Sequence, residues 1–169
     1  MRSGQPLPRL WLMTDERLGD GLLDAVARLP EGAGIVFRHY SLAGPMRRAL
    51  FDRVRMAHSG LLLLAGPVTL AASWGADGSH GAHQGAVSAS VHDLAEIRAA
   101  ETASAALLFL SPVFPTRSHP NAPALGPKGF SALIGQTELP VVALGGMNAE
   151  RAARLPGAYG WAGIDAWLG

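Results

Sequence analysis

The chain has 169 residues, of which 49% are hydrophobic and 16% charged, and it carries a net charge of +1 and no cysteine. This composition predicts one domain, spanning residues 1–169, and excludes a disordered polar chain. The 14 lysines and arginines are spread along the sequence, so we expect no nucleic-acid partner. No signal-peptide core and no apolar run of membrane-spanning length is present, so we expect a cytoplasmic protein without a membrane partner.

Short apolar runs alternate with helical patterns, which is typical of strand, crossover helix and parallel strand units. Eight strands are predicted, at residues 10–13, 34–37, 61–64, 77–80, 86–90, 106–110, 141–144 and 160–164. Five clear helices are predicted, at residues 21–28, 45–57, 93–102, 128–134 and 149–154.

This alternation predicts a closed α/β barrel of the TIM (β/α)8 type, with functional groups on the loops after the carboxyl ends of the strands. Only residues 81–85 separate the fourth and fifth strands, and Gly169 follows shortly after the eighth, so helices 4 and 8 are expected to be shortened or missing. Apolar surface exposed there would favour a homodimer. The alternative, an open doubly wound sheet, lacks its glycine fingerprint after the first strand.

The most specific segment is residues 109–130, FLSPVFPTRSHPNAPALGPKGF, which lies between a strand and a helix. Its length and prolines suit a functional loop that covers a substrate at the barrel mouth. The alternative is a rigid turn in which the prolines only fix the backbone.

Six segments resemble, in the same order, motifs of the thiamine-phosphate synthase family, which includes the TenI-like thiazole tautomerases. They are LWLMTD (10–15), IVFRHY (35–40), ADGSHGAHQ (76–84), SVH (90–92), SPVFPT (111–116) and VVALGGM (141–147). The resemblance implies a barrel enzyme of thiamine biosynthesis. The synthase couples an aminopyrimidine diphosphate to a thiazole phosphate with release of pyrophosphate and uses Mg²⁺, whereas the tautomerase isomerises a thiazole carboxylate phosphate by proton transfer.

The resemblance also implies a phosphate-binding site. Arg38 takes the place of a family arginine that can hold a phosphate in a bidentate way. Gly145 and Gly146 can offer backbone N–H groups to an anion, although a tight turn from strand to helix would need the same glycines. Ser90 and Thr116, in matched segments, complete the predicted phosphate-binding residues.

Several family positions are altered. Tyr40 replaces a lysine, residues 65–67 replace an Asn-Asp pair, and the acidic metal ligand expected after Gln84 is absent. The ligands of the family's Mg²⁺ are therefore expected to be lost, and no metal site or other cofactor is predicted. Asp165 stands where the family offers small residues to the thiazole phosphate, and a carboxylate there repels a phosphate unless it is screened or turned away.

Four of the six histidines fall at or just after predicted strand ends: His39, His80, His92 and His119. His80 and His119 lie in matched loops and are predicted, with Arg38, as catalytic residues, because imidazole exchanges protons near neutral pH. The alternative for each histidine is a hydrogen-bonded structural role. Outside the site, Arg47, Arg48, Arg53 and Arg55 are predicted to form a solvated helix face, and Trp161 and Trp167 to pack where helix 8 is short.

The sequence leaves three functions open. The first is a family protein that binds a thiazole phosphate or a related small phosphorylated heterocycle, with the altered positions arguing against pyrophosphate-releasing coupling. The second is a metal-independent thiazole tautomerase that uses His80 or His119. The third is a barrel without catalysis that acts as a binding or regulatory protein, so the sequence does not decide between a transferase, an isomerase and a protein that is no enzyme.

Overall fold

A computed structural model of the chain describes residues 6–117 and 123–168. Eight parallel strands are paired in chain order, and β8 pairs again with β1, so the sheet closes into a barrel. The strands are Leu10–Met13 (β1), Gly34–Phe37 (β2), Leu62–Ala65 (β3), Gly78–His80 (β4), Ser88–Val91 (β5), Leu107–Leu110 (β6), Val141–Ala143 (β7) and Gly160–Gly163 (β8). The predicted TIM-type barrel is confirmed, and the open doubly wound sheet is excluded because β1 and β8 are paired.

Six α-helices lie outside the strands. They are Leu22–Ala27 (α1), Gly44–Ala57 (α2), Val68–Trp74 (α3), Leu94–Thr102 (α4), Gly126–Ile134 (α5) and Ala149–Ala153 (α6). Within the described part of the chain, no helix joins β4 to β5, and a short 3-10 turn, Asp165–Trp167, follows β8. The prediction that helices 4 and 8 are shortened or missing is therefore confirmed. None of the helices described here is long and apolar enough to cross a membrane.

The helix α3 was not predicted, because its seven residues VTLAASW are short and carry no clear apolar periodicity. Its ends are nevertheless marked in the sequence. Pro67 precedes its first residue, and Gly75 follows its last residue with a left-handed backbone, φ +72°. Proline at a helix start and glycine just past its end are the boundary signals that would have indicated it.

The interior of the barrel is filled by aromatic side chains below the mouth. Trp11 of β1 and Phe109 of β6 are fully buried, and their rings pack edge to face with 5.3 Å between the ring centroids. Gly34, on the neighbouring strand, makes room for this contact, because a Cβ there would lie 2.5 Å from the Trp11 ring. The interior of the barrel is thus a packed core and not a pore.

The two places where an outer helix is shortened or missing differ in their packing. Where helix 8 is missing, Trp161 and Trp167 stack as predicted, with 4.9 Å between their ring centroids. The Trp167 indole Nε1 donates to the Trp11 carbonyl oxygen at 3.1 Å. Where helix 4 is missing, residues 81–83 and α4 border a groove of about 320 Å³ lined mainly by alanines. The homodimer proposed from such surface stays a prediction.

The predicted solvated arginine face on α2 is only partly right. Arg53 is exposed, and Arg48 pairs with Asp52 on the same helix. Arg47 instead donates to the carbonyl oxygens of Arg38 and Ala65. Arg55 pairs with Asp77, with 2.8 Å between Nη1 and Oδ2, and donates to two backbone carbonyl oxygens. These two arginines tie α2 to the ends of the strands, because their long side chains reach unpaired backbone carbonyls there.

Candidate anion-binding site at the mouth of the barrel

A cavity of about 500 Å³ opens at the carboxyl ends of the strands. Five of the predicted site residues line it: Arg38, Ser90, Thr116, Gly145 and Gly146. They come from β5 and from the segments that follow β2, β6 and β7, and barrel closure brings them together. This is the end of the barrel at which TIM-type proteins carry their functional groups.

Arg38 is held in place by residues that follow β1. Its Nε donates to the Thr14 carbonyl oxygen at 2.8 Å, and its Nη2 lies 3.0 Å from Asp15 Oδ2. Its backbone N–H donates to Thr14 Oγ1 at 2.9 Å. Burial lowers the pKa of Arg38 while the Asp15 carboxylate opposes that shift, and a guanidinium stays charged under such conditions. The cavity wall therefore carries a fixed cation.

The paired glycines bring two loops into contact. Gly145 and Gly146 have φ of +94° and +60°, and Phe114 donates its backbone N–H to the Gly145 carbonyl oxygen at 3.1 Å. A Cβ on Gly145 would lie 2.7 Å from Pro112 Cα, and one on Gly146 would lie 2.6 Å from the Pro115 carbonyl oxygen. Both glycines are thus required for the close approach of residues 111–117.

The same glycines also carry available hydrogen-bond donors. Among the residues that the structure describes, the backbone N–H groups of Gly145 and Gly146 have no acceptor within the protein. Because both residues line the cavity, these amides can bind an anion there. The structural and the functional interpretations of the glycine pair are therefore compatible.

His80 lies behind the cavity wall. The residue is 5% exposed, and its ring has Nδ1 at 2.9 Å from Ser88 Oγ and Nε2 at 3.2 Å from Ser90 Oγ. Burial, with a smaller contribution from Arg38, lowers its pKa to about 4, so the imidazole is neutral near pH 7. His80 reaches the cavity only through Ser90, which suits a positioning role. His119, the other predicted catalytic histidine, lies outside the described residues.

Two further histidines occupy different environments. His39 is buried, with Nδ1 at 3.0 Å from Thr14 Oγ1 and its ring stacked on Phe37, and burial lowers its pKa. His92 lines the cavity, and its Nδ1 lies 2.7 Å from Glu96 Oε2. Carboxylate contact with one ring nitrogen orients an imidazole and fixes its tautomer. Among the histidines that the structure describes, His92 is therefore the one best placed to exchange a proton with a molecule in the cavity.

Sequence reasoning missed Arg17, which follows β1 and also lines the cavity. Its Nε lies 3.0 Å from Asp165 Oδ1, beyond β8. The Arg17 guanidinium thus screens the carboxylate of Asp165. A screened carboxylate can lie near a phosphate, whereas an unscreened one would repel it. The two residues are 148 positions apart, and only the pairing of β1 with β8 could have indicated their contact.

The described residues do not fit a Mg²⁺ ion. Within 6–117 and 123–168, no three His, Asp or Glu side chains are grouped so that they could hold a metal. At residues 65–67, where the family motif has an Asn-Asp pair, the Ala65 carbonyl oxygen accepts a hydrogen bond from the Arg47 guanidinium at 2.7 Å. A cationic side chain therefore contacts the region in which the motif would supply oxygen ligands.

Comparison with known proteins points to one family. The family model described as thiamine monophosphate synthase matches residues 22–167. A protein of Aquifex aeolicus, provisionally named thiamine-phosphate synthase 2, is 32% identical over 96% of this chain and 98% of its own length. The thiamine biosynthesis bifunctional protein ThiM/ThiE of Symbiobacterium thermophilum is 34% identical over 80% of this chain and 32% of its own length.

A solved structure has the same fold. The thiamine phosphate pyrophosphorylase of Pyrococcus furiosus superposes with a TM-score of 0.79, covering 95% of this chain and 86% of that one, at 24% sequence identity. At this identity, the superposition supports the barrel architecture and not a shared activity.

Proposed function

The chain belongs to the thiamine monophosphate synthase family and thus has a role in thiamine biosynthesis, and from this premise we propose that its cavity binds a thiazole phosphate or a related small phosphorylated heterocycle. One observation carries the proposal. The Arg38 guanidinium and the unbonded backbone N–H groups of Gly145 and Gly146 line the same cavity, within the described part of the chain.

The size and the charge of the cavity suit such a ligand. A volume of about 500 Å³ lies in the range typical of small-molecule sites. Three arginines line it, Arg17, Arg38 and Arg117, while Asp165 pairs with Arg17 and Asp15 pairs with Arg38, so three positive charges face two negative ones. This excess of positive charge favours an anionic group, and backbone amides together with a guanidinium are typical phosphate ligands.

Pyrophosphate-releasing coupling is not part of the proposed function. The negative charge that accumulates on a departing pyrophosphate needs stabilisation by cations or a metal ion. Tyr40, which stands in place of a family lysine, is exposed and uncharged, and the described residues offer no group of metal-binding side chains. We therefore expect no release of pyrophosphate when the protein is incubated with the two synthase substrates and Mg²⁺.

A second function, proton transfer on the bound heterocycle, is favoured by the His92–Glu96 contact. An imidazole that is oriented by a carboxylate and lines the cavity can act as a general acid or base without a metal ion. If this second function holds, an isomerase-type reaction of the tautomerase kind would be lost in His92→Gln and retained in His83→Gln, because His83 does not line the cavity. Equal rates for the two variants would exclude it.

Calorimetric titration with thiazole phosphate tests the binding proposal. Removing the Arg38 cation in Arg38→Gln should weaken binding about tenfold or more, since charge-assisted hydrogen bonds contribute roughly 1.5–3 kcal/mol. Arg98→Gln is the matched control, because Arg98 pairs with Glu101 on the outer helix α4 and does not line the cavity. The proposal fails if the wild type does not bind, or if both variants bind as tightly as the wild type.

A further inference from the structure

Three hydrogen-bonded side chains lead from the barrel interior to the cavity: Ser88 of β5, His80 of β4 and Ser90 of β5. His80 Nδ1 lies 2.9 Å from Ser88 Oγ, and His80 Nε2 lies 3.2 Å from Ser90 Oγ. Ser88 is fully buried, whereas Ser90 is half-buried and lines the cavity. Phe109 packs against the imidazole, with 5.5 Å between the ring centroids. The His80 ring is therefore held with one nitrogen towards each serine.

The burial of Ser88 determines which nitrogen of His80 carries the proton. Within residues 6–117 and 123–168, His80 Nδ1 is the one hydrogen-bond partner of Ser88 Oγ. A buried hydroxyl proton without an acceptor is costly, so Ser88 donates to Nδ1. A neutral imidazole has one acceptor nitrogen and one donor nitrogen, and His80 is neutral near pH 7. The ring proton therefore lies on Nε2 and is donated to Ser90 Oγ.

We propose that Ser88 and His80 are positioning residues that make Ser90 a hydrogen-bond donor to a phosphate group bound in the cavity. Ser90 Oγ has no partner other than His80 within the described part of the chain. Because Ser90 accepts from the ring, its own hydroxyl proton can be donated into the cavity. With the opposite tautomer, that proton would be donated to Nε2, and the Ser90 lone pairs would face the phosphate oxygens, which are also acceptors. The inference rests on the proposed phosphate site and adds a neutral donor to it.

The tautomer of His80 tests the inference in the wild-type protein without any ligand. Long-range ¹H–¹⁵N NMR correlations distinguish a protonated ring nitrogen from an unprotonated one. In ¹³C,¹⁵N-labelled protein, through-bond correlations to the assigned backbone identify the His80 ring. At pH 7, we expect Nε2 to be protonated and Nδ1 to be unprotonated. A ring protonated on Nδ1 would overturn the inference.

Calorimetric titration with thiazole phosphate and with inorganic phosphate measures the contribution of the donor. Ser90→Ala removes the hydroxyl and should weaken binding of both anions about fivefold or more, since hydrogen bonds to charged groups are strong. Ser88→Ala leaves both tautomers of His80 accessible and should weaken binding about twofold or more, because only one of them suits the anion. In the Ser90→Ala background, Ser88→Ala should have no further effect, because Ser88 acts through Ser90.

Ser79→Ala is the matched control. Ser79 is also buried, and its Oγ lies 3.3 Å from Nε2 of another histidine, His83, but neither residue lines the cavity. The variant should therefore bind both anions as tightly as the wild type. Thermal unfolding without ligand identifies any variant that fails to fold. If Ser88→Ala does not fold, Ser88→Cys replaces it, because a thiol has nearly the same shape and is a weak donor.

The outcomes separate this inference from the proposed function. If thiazole phosphate binds and Ser90→Ala binds it as tightly as the wild type, the inference is wrong and the proposed ligand is right. An equal effect of Ser88→Ala with and without the Ser90 hydroxyl also overturns the inference. If inorganic phosphate gives the predicted losses and thiazole phosphate does not bind, the inference stands and the proposed ligand is wrong. Failure of the wild type to bind either anion overturns both.

Discussion

At the residue scale, the burial of His80 contributes to the pH dependence of the free energy of unfolding, as does the burial of His39 and His58. The pKa of His80 falls from 6.5 to about 4 on folding, so the unfolded chain binds the proton more tightly over this interval. The free energy of unfolding should therefore decrease as the pH is lowered from 6.5 to 4, by roughly 3 kcal/mol at most. Urea unfolding of the wild type and of His80→Gln at a series of pH values measures this contribution as the difference between the two.

Ser88→Ala provides the control for this prediction. It removes the hydroxyl that contacts His80 Nδ1 but retains the titrating imidazole. The variant should be less stable at every pH and should keep the pH-dependent decrease. If His80→Gln shows the same decrease as the wild type between pH 6.5 and 4, another group is responsible.

At this scale, the family motifs predict the position of some residues at the mouth of the barrel but not the surroundings of others. Arg38, Gly145 and Gly146 line the cavity, as their fixed positions within short motifs after a strand indicate. The environment of His80 could not be predicted, because it depends on two serines from a different strand, Ser88 and Ser90. The surroundings of a titratable group come from long-range packing, and so its pKa is not a property of a motif.

The turn after β7 is the element that joins the cavity to its covering loop. Gly145→Ala should lower the free energy of unfolding by about 3 kcal/mol, because its φ is positive and the new Cβ would contact Pro112. Gly32→Ala is the matched control, since Gly32 also has a positive φ, +78°, but open space around its Cβ position. It should cost only about 1 kcal/mol.

Chemical denaturation measures both glycine variants. Equal losses for Gly145→Ala and Gly32→Ala would mean that the contact between the turn and the loop does not constrain the backbone. The larger expected loss for Gly145→Ala should be accompanied by weaker thiazole phosphate binding, because residues 112 and 115–117 also line the cavity.

After β8, a short 3-10 turn occupies the place of an outer helix, and its Trp167 packs against Trp161. Trp167→Ala should destabilise the fold by about 2 kcal/mol, because it removes the stack on Trp161 and the hydrogen bond to the Trp11 carbonyl oxygen. Trp167→Phe keeps a ring for stacking, loses only the hydrogen bond, and should cost about 1 kcal/mol. Thermal unfolding compares them, and an unchanged midpoint for Trp167→Ala would show that the barrel closes without this stack.

Element positions followed well from the alternation of apolar runs and helical patterns, with predicted bounds within two residues of those observed. The short helix α3 is the exception, because it was not predicted. The ring of its last residue, Trp74, packs against Phe51 of α2 with 5.4 Å between the ring centroids. Tertiary packing stabilises such a short helix, and intrinsic propensity alone does not indicate it.

At the scale of the whole molecule, closure of the barrel creates the site. The pairing of β1 with β8 brings Arg17 and Asp165 into contact, and the cavity collects residues from both ends of the chain. The barrel itself was predicted from the count and order of strands, whereas the ion pairs of Arg38 with Asp15 and of Arg17 with Asp165 were not. Such contacts depend on side-chain directions around the mouth, which strand order does not specify.

We propose that the mouth of this barrel binds a phosphorylated heterocycle without a metal ion. Titration of ¹⁵N-labelled protein with thiazole phosphate, in the presence of a chelator and followed by NMR, tests it most directly. We expect downfield shifts of the Gly145 and Gly146 amide protons, because their N–H groups form hydrogen bonds to the phosphate. Unchanged glycine resonances at saturating ligand, or shifts that appear only after Mg²⁺ is added, would contradict it.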